Sequence, residues 1–206
     1  MEAEPTLVLG TRNPHKVREV ARLLEPSGIS VEPLPSGVAL PAEIGETFEA
    51  NALPKARAAA AATGRPAIAD DSGIEAEALG GRPGVHSARY AGPEATDEQN
   101  LAKLMREAPA GSPVRYVCAL AYVDPYARED GAGGREDGAE ERVFFGFCAG
   151  RLASEPRGSG GFGYDPAFLP DEVVDGRTMA ELSDREKDAI SHRGRAVREL
   201  ARWLGG

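Results

Sequence analysis

Cysteine is scarce in this chain: Cys118 and Cys148 are far apart and outside any Cys-x-x-Cys or Cys/His ligand spacing. No metal-thiolate site is therefore expected, and both thiols fall in apolar, strand-like runs that read as buried. Long apolar runs are missing too. No stretch approaches the ~20 residues that span a bilayer, which excludes a membrane helix. Positive charge is in deficit, with 24 Lys and Arg against 33 Asp and Glu and a net charge of -9, so a general nucleic-acid surface is excluded. A small polyanion remains a possible ligand if the cations gather in one cleft. The opening Met1-Glu2-Ala3-Glu4-Pro5 is acidic, so no secretory leader is expected and the balance fits the cytoplasm. What is present is a soluble globular composition over 206 residues, with no linker between independent domains. Residues 1–206 read as a single domain, long enough to be built in two lobes.

Thr6-Leu7-Val8-Leu9-Gly10 reads as a buried first strand, followed by Thr11-Arg12-Asn13-Pro14-His15-Lys16 and a helical stripe of Val17, Val20, Ala21, Leu23 and Leu24. Asn13 suits the N-cap and Pro14 the first helical position. Strand, short polar turn, helix leaves backbone N–H groups and the positive end of the helix dipole at the strand mouth, a natural phosphate site with Lys16 in its first turn. The plainer alternative is a capped helix with a solvated lysine.

Ser30 to Leu34 reads as a second strand, and Leu40 to Gly45 as a loop holding Glu43, with Glu46 and Glu49 beyond it. Thr47 to Thr63 is Ala-rich and helical in pattern. Pro54 inside it predicts a kink or a new helix start. Pro66-Ala67-Ile68-Ala69 reads as a strand with Asp70 and Asp71 at its mouth, stopped by a turn at Ser72-Gly73. Strand neighbours face opposite ways, so the two carboxylates are expected to do different jobs, one facing a cleft and one serving structure. Their mutual repulsion requires a cation, donors or solvent.

Gly80 to Gly92 reads as an irregular loop. Thr96 with Gln99 forms a capping box for a helix to about Glu107, and Val114–Val123 and Arg142–Gly150 read as two long strands of a hairpin. Between those strands Arg128-Glu129-Asp130-Gly131-Ala132 recurs as Arg135-Glu136-Asp137-Gly138-Ala139, a small duplicated insert expected to be a mobile loop tip without chemistry. Gly158 to Pro166 is glycine-rich but lacks the Gly-Lys-Ser/Thr ending of a P-loop. It allows close backbone approach to a ligand, with Phe162 or Tyr164 offering a ring. Ser183 with Glu186 caps a last helix expected from Asp184 to about Leu204, on which Lys187, Ser191 and Arg195 recur every four residues beside His192 and Arg193. A solvated cationic face is the plain alternative there.

These stretches, in this order, resemble the noncanonical purine NTP pyrophosphatases, the inosine/xanthosine triphosphate pyrophosphatase family. The resemblance is carried by Thr11-x-Asn13-x-x-Lys16; Glu46-Thr47-Phe48 with Asn51-Ala52-x-x-Lys55-Ala56; Ala69-Asp70-Asp71-Ser72-Gly73; and Leu79-Gly80-Gly81-x-Pro83-Gly84 with Ser87-Ala88-Arg89-Tyr90. Gly160-Gly161-Phe162-Gly163-Tyr164-Asp165-Pro166 and Lys187 with Ile190-Ser191-His192-Arg193-Gly194 complete it. It implies an α/β fold: an elongated mixed β-sheet flanked by helices, in two lobes with a central active-site cleft. It also implies a homodimer and the Mg²⁺-dependent hydrolysis of ITP, dITP and XTP to the monophosphate and pyrophosphate. By the resemblance, Thr11, Arg12, Asn13, Pro14, His15 and Lys16 hold the triphosphate. Asp71 is the general base and a metal ligand, Ser72 a substrate contact, and Glu43 the second metal carboxylate, with Glu46 close enough to stay in play. Phe162, Gly163, Tyr164, Asp165, Lys187, His192 and Arg193 take the nucleotide, mostly at its base and sugar. Three departures stand out: Pro54 within the Asn-Ala-x-x-Lys-Ala helix, Ala50 where many members carry an acid, and the duplicated acidic insert, which has no clear family role.

The residue types suit that chemistry. Mg²⁺ prefers oxygen ligands, usually one or two carboxylates plus substrate phosphates. A carboxylate in reach takes a proton from the attacking water, and Lys16 with the helix N–H groups steadies the departing pyrophosphate. Ser72 has no Gly-x-Ser-x-Gly context for covalent catalysis. A donor such as Arg193 or His192 aimed at position six of the base pairs with the oxygen of hypoxanthine or xanthine and faces the amino group of adenine donor to donor. Guanine shares that oxygen, so its rejection needs a second device. The rival readings are a Maf-like pyrophosphatase acting on dTTP, UTP or modified pyrimidines, against which His192-Arg193 and the Gly-Phe-Gly-Tyr-Asp stretch argue, and a nucleotide sensor without turnover.

Overall fold

The computed structural model describes residues 5–126 and 140–205. β1 (Thr6–Leu9) leads through Asn13 into α1 (Pro14–Leu24), and the chain returns in β2 (Ser30–Pro33), parallel to β1 with Thr6 opposite Ser30. Asn13 accepts from the His15 and Lys16 amides, and Pro14 stands where an N–H would have no helical partner. α2 (Phe48–Thr63) starts on Thr47, whose hydroxyl accepts from the Ala50 amide. It runs through Pro54 as one helix, so of the two expected outcomes, a kink or a new helix start, the new start does not occur. Its alanines serve close approach. A Cβ on Gly10 would lie 3.1 Å from the Lys55 carbonyl, 3.2 Å from Ala69 Cβ and 3.4 Å from Ala59 Cβ, so α2 packs on the end of β1 almost backbone to backbone.

β3 (Ala67–Ala76) is parallel to β1 and corrects the sequence reading. The strand does not end at the acid pair but runs through Asp70, Asp71, Ser72 and Gly73. Gly73 is therefore not a turn residue. A Cβ there would fall 2.4 Å from the Gly84 carbonyl and 2.5 Å from Ser87 Oγ, so the glycine lets a neighbouring segment press on the strand. α3 (Asp97–Glu107) carries the expected capping box of Thr96 and Gln99. β4 (Pro113–Asp124), β5 (Glu140–Leu152) and β6 (Phe168–Pro170) follow, with β5 and β6 antiparallel. The result is a mixed six-stranded sheet in the order β2-β1-β3-β4-β5-β6, flanked by helices. The duplicated insert at 128–139 lies outside the described residues. Within the stretch read as irregular loop, Gly84–Arg89 forms a 3-10 turn pinned by Ser87 Oγ to the Ile74 amide, 2.9 Å.

The C-terminal helix also differs from expectation. It is two helices, α4 (Asp184–Ile190) and α5 (His192–Leu204), broken at Ser191, whose backbone is extended at ψ 152°. Ser191 Oγ accepts from the Gly194 amide at 3.0 Å, so the serine caps a new helix.

The chain divides into two compact units: Met1–Asp71, Ala119–Phe144 and Ala196–Gly206 in the first, Ser72–Cys118 and Phe145–Arg195 in the second. Buried Leu7, Val8, Leu9, Val20, Leu24 and Ile68 with the α2 alanines fill the first. The second has a continuous core that includes Ile74, Leu104, Tyr116, Cys148, Phe168 and Met179. Both cysteines are buried thiols, as their apolar surroundings predict, and burial pushes Cys148 up to about 12.

Candidate active site

In the first unit a polar cluster forms where β3, α1, α2 and the loop before α2 converge. Asp70 is fully buried and pairs with Lys16 Nζ at 3.0 Å. Asp71, 5% exposed, accepts instead from Asn51 Nδ2 at 3.0 Å. The two carboxylates thus serve different helices, as strand alternation predicts. Asn51 also clamps Gly45, accepting its amide at 2.8 Å and donating to its carbonyl at 3.3 Å. That clamp sets the loop carrying Glu43. Lys55, one turn along α2, donates to Glu43 Oε1 at 2.5 Å and to the Asp70 carbonyl at 2.8 Å.

Burial raises Asp71 above the usual carboxylate range, and the nearby Glu43 charge adds to this. The Lys55 and Lys16 ammoniums and the Asn51 amide pull the other way. A carboxylate raised in this way is a stronger base than one in water. Asn51 and Lys55 belong to this cluster although the sequence reading gave them no role. Their signal was two polar residues one turn apart in an otherwise Ala-rich helix.

The turn before α1 differs in detail from a phosphate loop of open amides. The His15 and Lys16 N–H groups are taken by Asn13 Oδ1 at 2.9 and 3.3 Å, the Asn13 amide by Thr11 Oγ1, and Pro14 has none. Charge compensation for an anion there falls to the Lys16 ammonium and the helix dipole. Arg12 turns to the chain itself, donating to the carbonyls of Leu34, Pro35, Ser36 and Val38 at 2.7–3.2 Å. His15 is exposed and within 3.0 Å of Arg18. Of the two candidate acids, Glu43 is the one paired with Lys55, while Glu46 is exposed.

The second unit holds a second cluster, centred on Asp165. This carboxylate, 3% exposed, accepts from three donors: Tyr116 Oη at 2.9 Å, Lys187 Nζ at 2.7 Å and the Phe162 amide at 3.0 Å. Gly161 sits at φ 69°, and a Cβ there would be 2.0 Å from Asp165 Oδ2, so only glycine fits the turn. The Gly163 amide donates to Asp97 at the start of α3, 2.8 Å, and Tyr164 Oη to the Ser87 carbonyl, 2.8 Å. Of the two rings in this loop, Tyr164 is buried and Phe162 half-exposed, so Phe162 is the ring a ligand can reach. The Lys187 ammonium lies 5.1 Å and the Arg193 guanidinium 5.7 Å from the Phe162 ring centre. Arg193 donates to Ser72 Oγ at 2.8 Å. Lys187, His192 and Arg193 are buried, which sets aside the solvated cationic face.

The protein is thus of the α/β class, with a cluster of carboxylates and lysines in its first unit and a cluster of cationic donors around an aromatic ring in its second. The comparisons narrow this class. The model of the Ham1 family matches residues 7–203. A dITP/XTP pyrophosphatase of Symbiobacterium thermophilum is 48% identical over 98% of this chain and 94% of its own length, and one of Geobacillus kaustophilus is 47% identical over 94% and 91%. Among solved structures, a HAM1 protein from Coxiella burnetii superposes with a TM-score of 0.81 at 37% identity, covering 98% of both chains. A nucleoside-triphosphatase, dITP/XTP pyrophosphatase, from Mycobacterium abscessus gives 0.67 at 40%, covering 95% of this chain and 98% of that one. The chain belongs to the Ham1 family.

Proposed function

We propose that this protein hydrolyses ITP, dITP and XTP to the nucleoside monophosphate and pyrophosphate, with Mg²⁺, and so clears these nucleotides from the cell's pool. The observation that carries the reading is Asp71, a buried carboxylate raised by its surroundings and held by Asn51, with Glu43, Lys16 and Lys55 about it. The dITP/XTP pyrophosphatase relatives support the substrate class.

The donor set fits magnesium. Asp71 and Glu43 offer oxygen only, and Glu43 is near enough for its charge to be felt at Asp71. When bound, the ion would acidify water and neutralise phosphate charge. Asp71 takes the proton of the attacking water, the new P–O bond forms, and the α–β phosphoanhydride bond breaks to release pyrophosphate. Lys16 steadies the departing negative charge, with Thr11 and Asn13 shaping the turn beside it. Arg12 holds the loop at 34–38, and Pro14 and His15 complete the first turn of α1.

The second cluster is assigned to the base and sugar. Phe162 offers its ring, Lys187, His192 and Arg193 offer donors, Ser72 anchors Arg193, and Gly163, Tyr164 and Asp165 fix the loop. Arg193 or His192 paired to the six-oxygen favours hypoxanthine and xanthine over adenine.

A homodimer in the cytoplasm, without nucleic-acid partners, completes the proposal. The stacked, half-exposed Phe145 and Phe147 on β5 support an interface between copies, and the net charge of -9 argues against nucleic acid. No helix among the described residues is long and apolar enough to cross a membrane.

The test is pyrophosphate release from ITP, XTP, dITP, ATP, GTP and dTTP, with and without Mg²⁺. Metal-dependent release from the first three is expected. Turnover of dTTP alone, or binding without release, would overturn the reading.

A further inference from the structure

We infer that Tyr116, on β4, is a positioning residue for base recognition, holding the Phe162 loop and Lys187 through Asp165 and the plane of His192 through its ring. The inference rests on reading the second cluster as the base site. Tyr116 is 6% exposed and touches two parts of that cluster, Asp165 and His192. Its hydroxyl donates to Asp165 Oδ1 at 2.9 Å, while Asp165 Oδ2 accepts from Lys187 Nζ and the Phe162 amide. Its ring lies 4.5 Å from the His192 ring and 8° from parallel, with Phe168 at 4.6 Å on the packing side.

Phenylalanine would fill this space and keep both ring contacts. The hydroxyl is therefore not needed for packing, and its partner gives it a separate task. Burial first, and the Asp165 charge second, push the phenol well above its usual range, so it stays a donor at any working pH. Without that donor Asp165 loses the contact on Oδ1 and is held through Oδ2 alone, by Lys187 and the Phe162 amide, so its rotation is resisted from one side only. The fit leaves no slack, because the Gly161 backbone already meets Asp165 Oδ2 with no room for a Cβ. Rotation would shift the Phe162 turn and the Lys187 ammonium together, and small errors in ligand-positioning groups are costly.

The test is Tyr116→Phe in the full-length protein, using ITP turnover, inhibition by inosine monophosphate and inhibition by inorganic tripolyphosphate. The KM for ITP and the inhibition constant of inosine monophosphate should rise about tenfold, with kcat within about twofold. Inhibition by tripolyphosphate, which has no base, should not change. Combined with Asp165→Asn, Tyr116→Phe should add nothing further, because it acts through that carboxylate. Should Asp165→Asn not fold, the contrast between the two inhibitors is decisive by itself. An unchanged KM, an equal loss of tripolyphosphate inhibition, or effects that multiply in the double variant would overturn the inference. Those outcomes leave the proposed function standing. A wild-type protein that turns over no ITP or XTP overturns both.

Discussion

Two buried aspartates, Asp71 and Asp165, are used in opposite ways. Asp165 is surrounded by donors, an ammonium, a phenol and a backbone amide, all from its own unit. Asp71 is almost as buried but takes a side-chain amide, and it sits near both a second carboxylate and two lysines that bond elsewhere. Lys16 goes to Asp70, and Lys55 to Glu43 and the strand backbone. A carboxylate held on all sides is an anchor, whereas one pushed up by burial and left near a like charge is suited to receive a proton or a cation. On the proposed reading, the chemical demand falls on Asp71 and the structural demand on Asp165.

Substitutions at the two aspartates break this comparison most strongly. Asp71→Asn should keep the fold and lower kcat for ITP by about 10³-fold or more, with KM within severalfold, in a steady-state pyrophosphate assay. Asp165→Asn should cost about 3 kcal/mol in a urea unfolding curve, because Lys187 loses its buried counter-charge, while kcat at saturating ITP changes little. Arg193→Ala should lower the ITP-over-ATP ratio of kcat/KM by at least roughly tenfold. An unchanged ratio would remove Arg193 from base selection.

The smallest effect is expected at Glu186, which caps α4 and whose carboxyl is held down at about 2 by Arg177 first and Ser183 next. Its folded value lies below the unfolded one, so its contribution is complete above about 4.5 and fades as pH falls toward 2. The stability difference between wild type and Glu186→Gln should therefore be flat from neutral pH to about 5 and close below it.

Much of the first cluster was legible because its signals are local. Asn13-Pro14 announces a helix start, and strand alternation separates the partners of Asp70 and Asp71. The extent of β3 was not legible. Asp-Asp-Ser-Gly looks like a strand end, and only the approach of the segment at Gly84 and Ser87 explains why Gly73 belongs inside the strand. The break at Ser191 was hidden by an unbroken polar pattern, although a serine three residues before a glycine amide is a cap when the tertiary structure calls for one. Lys55 and Asn51 were visible as polar residues on an alanine helix, but their use depends on a loop that no local rule positions. Tyr116 had no signal at all, since its partner is 49 residues away and a tyrosine in a strand is ordinary.

Single-turnover kinetics with equilibrium ITP binding for wild type, Asp71→Asn and Asp165→Asn test the division between the two aspartates most directly. The account predicts that Asp71→Asn binds ITP within severalfold of wild type and cleaves it about 10³-fold more slowly, while Asp165→Asn binds about tenfold more weakly and cleaves bound ITP at close to the wild-type rate. Near-normal cleavage by Asp71→Asn, or a cleavage rate in Asp165→Asn as low as that expected of Asp71→Asn, would contradict it.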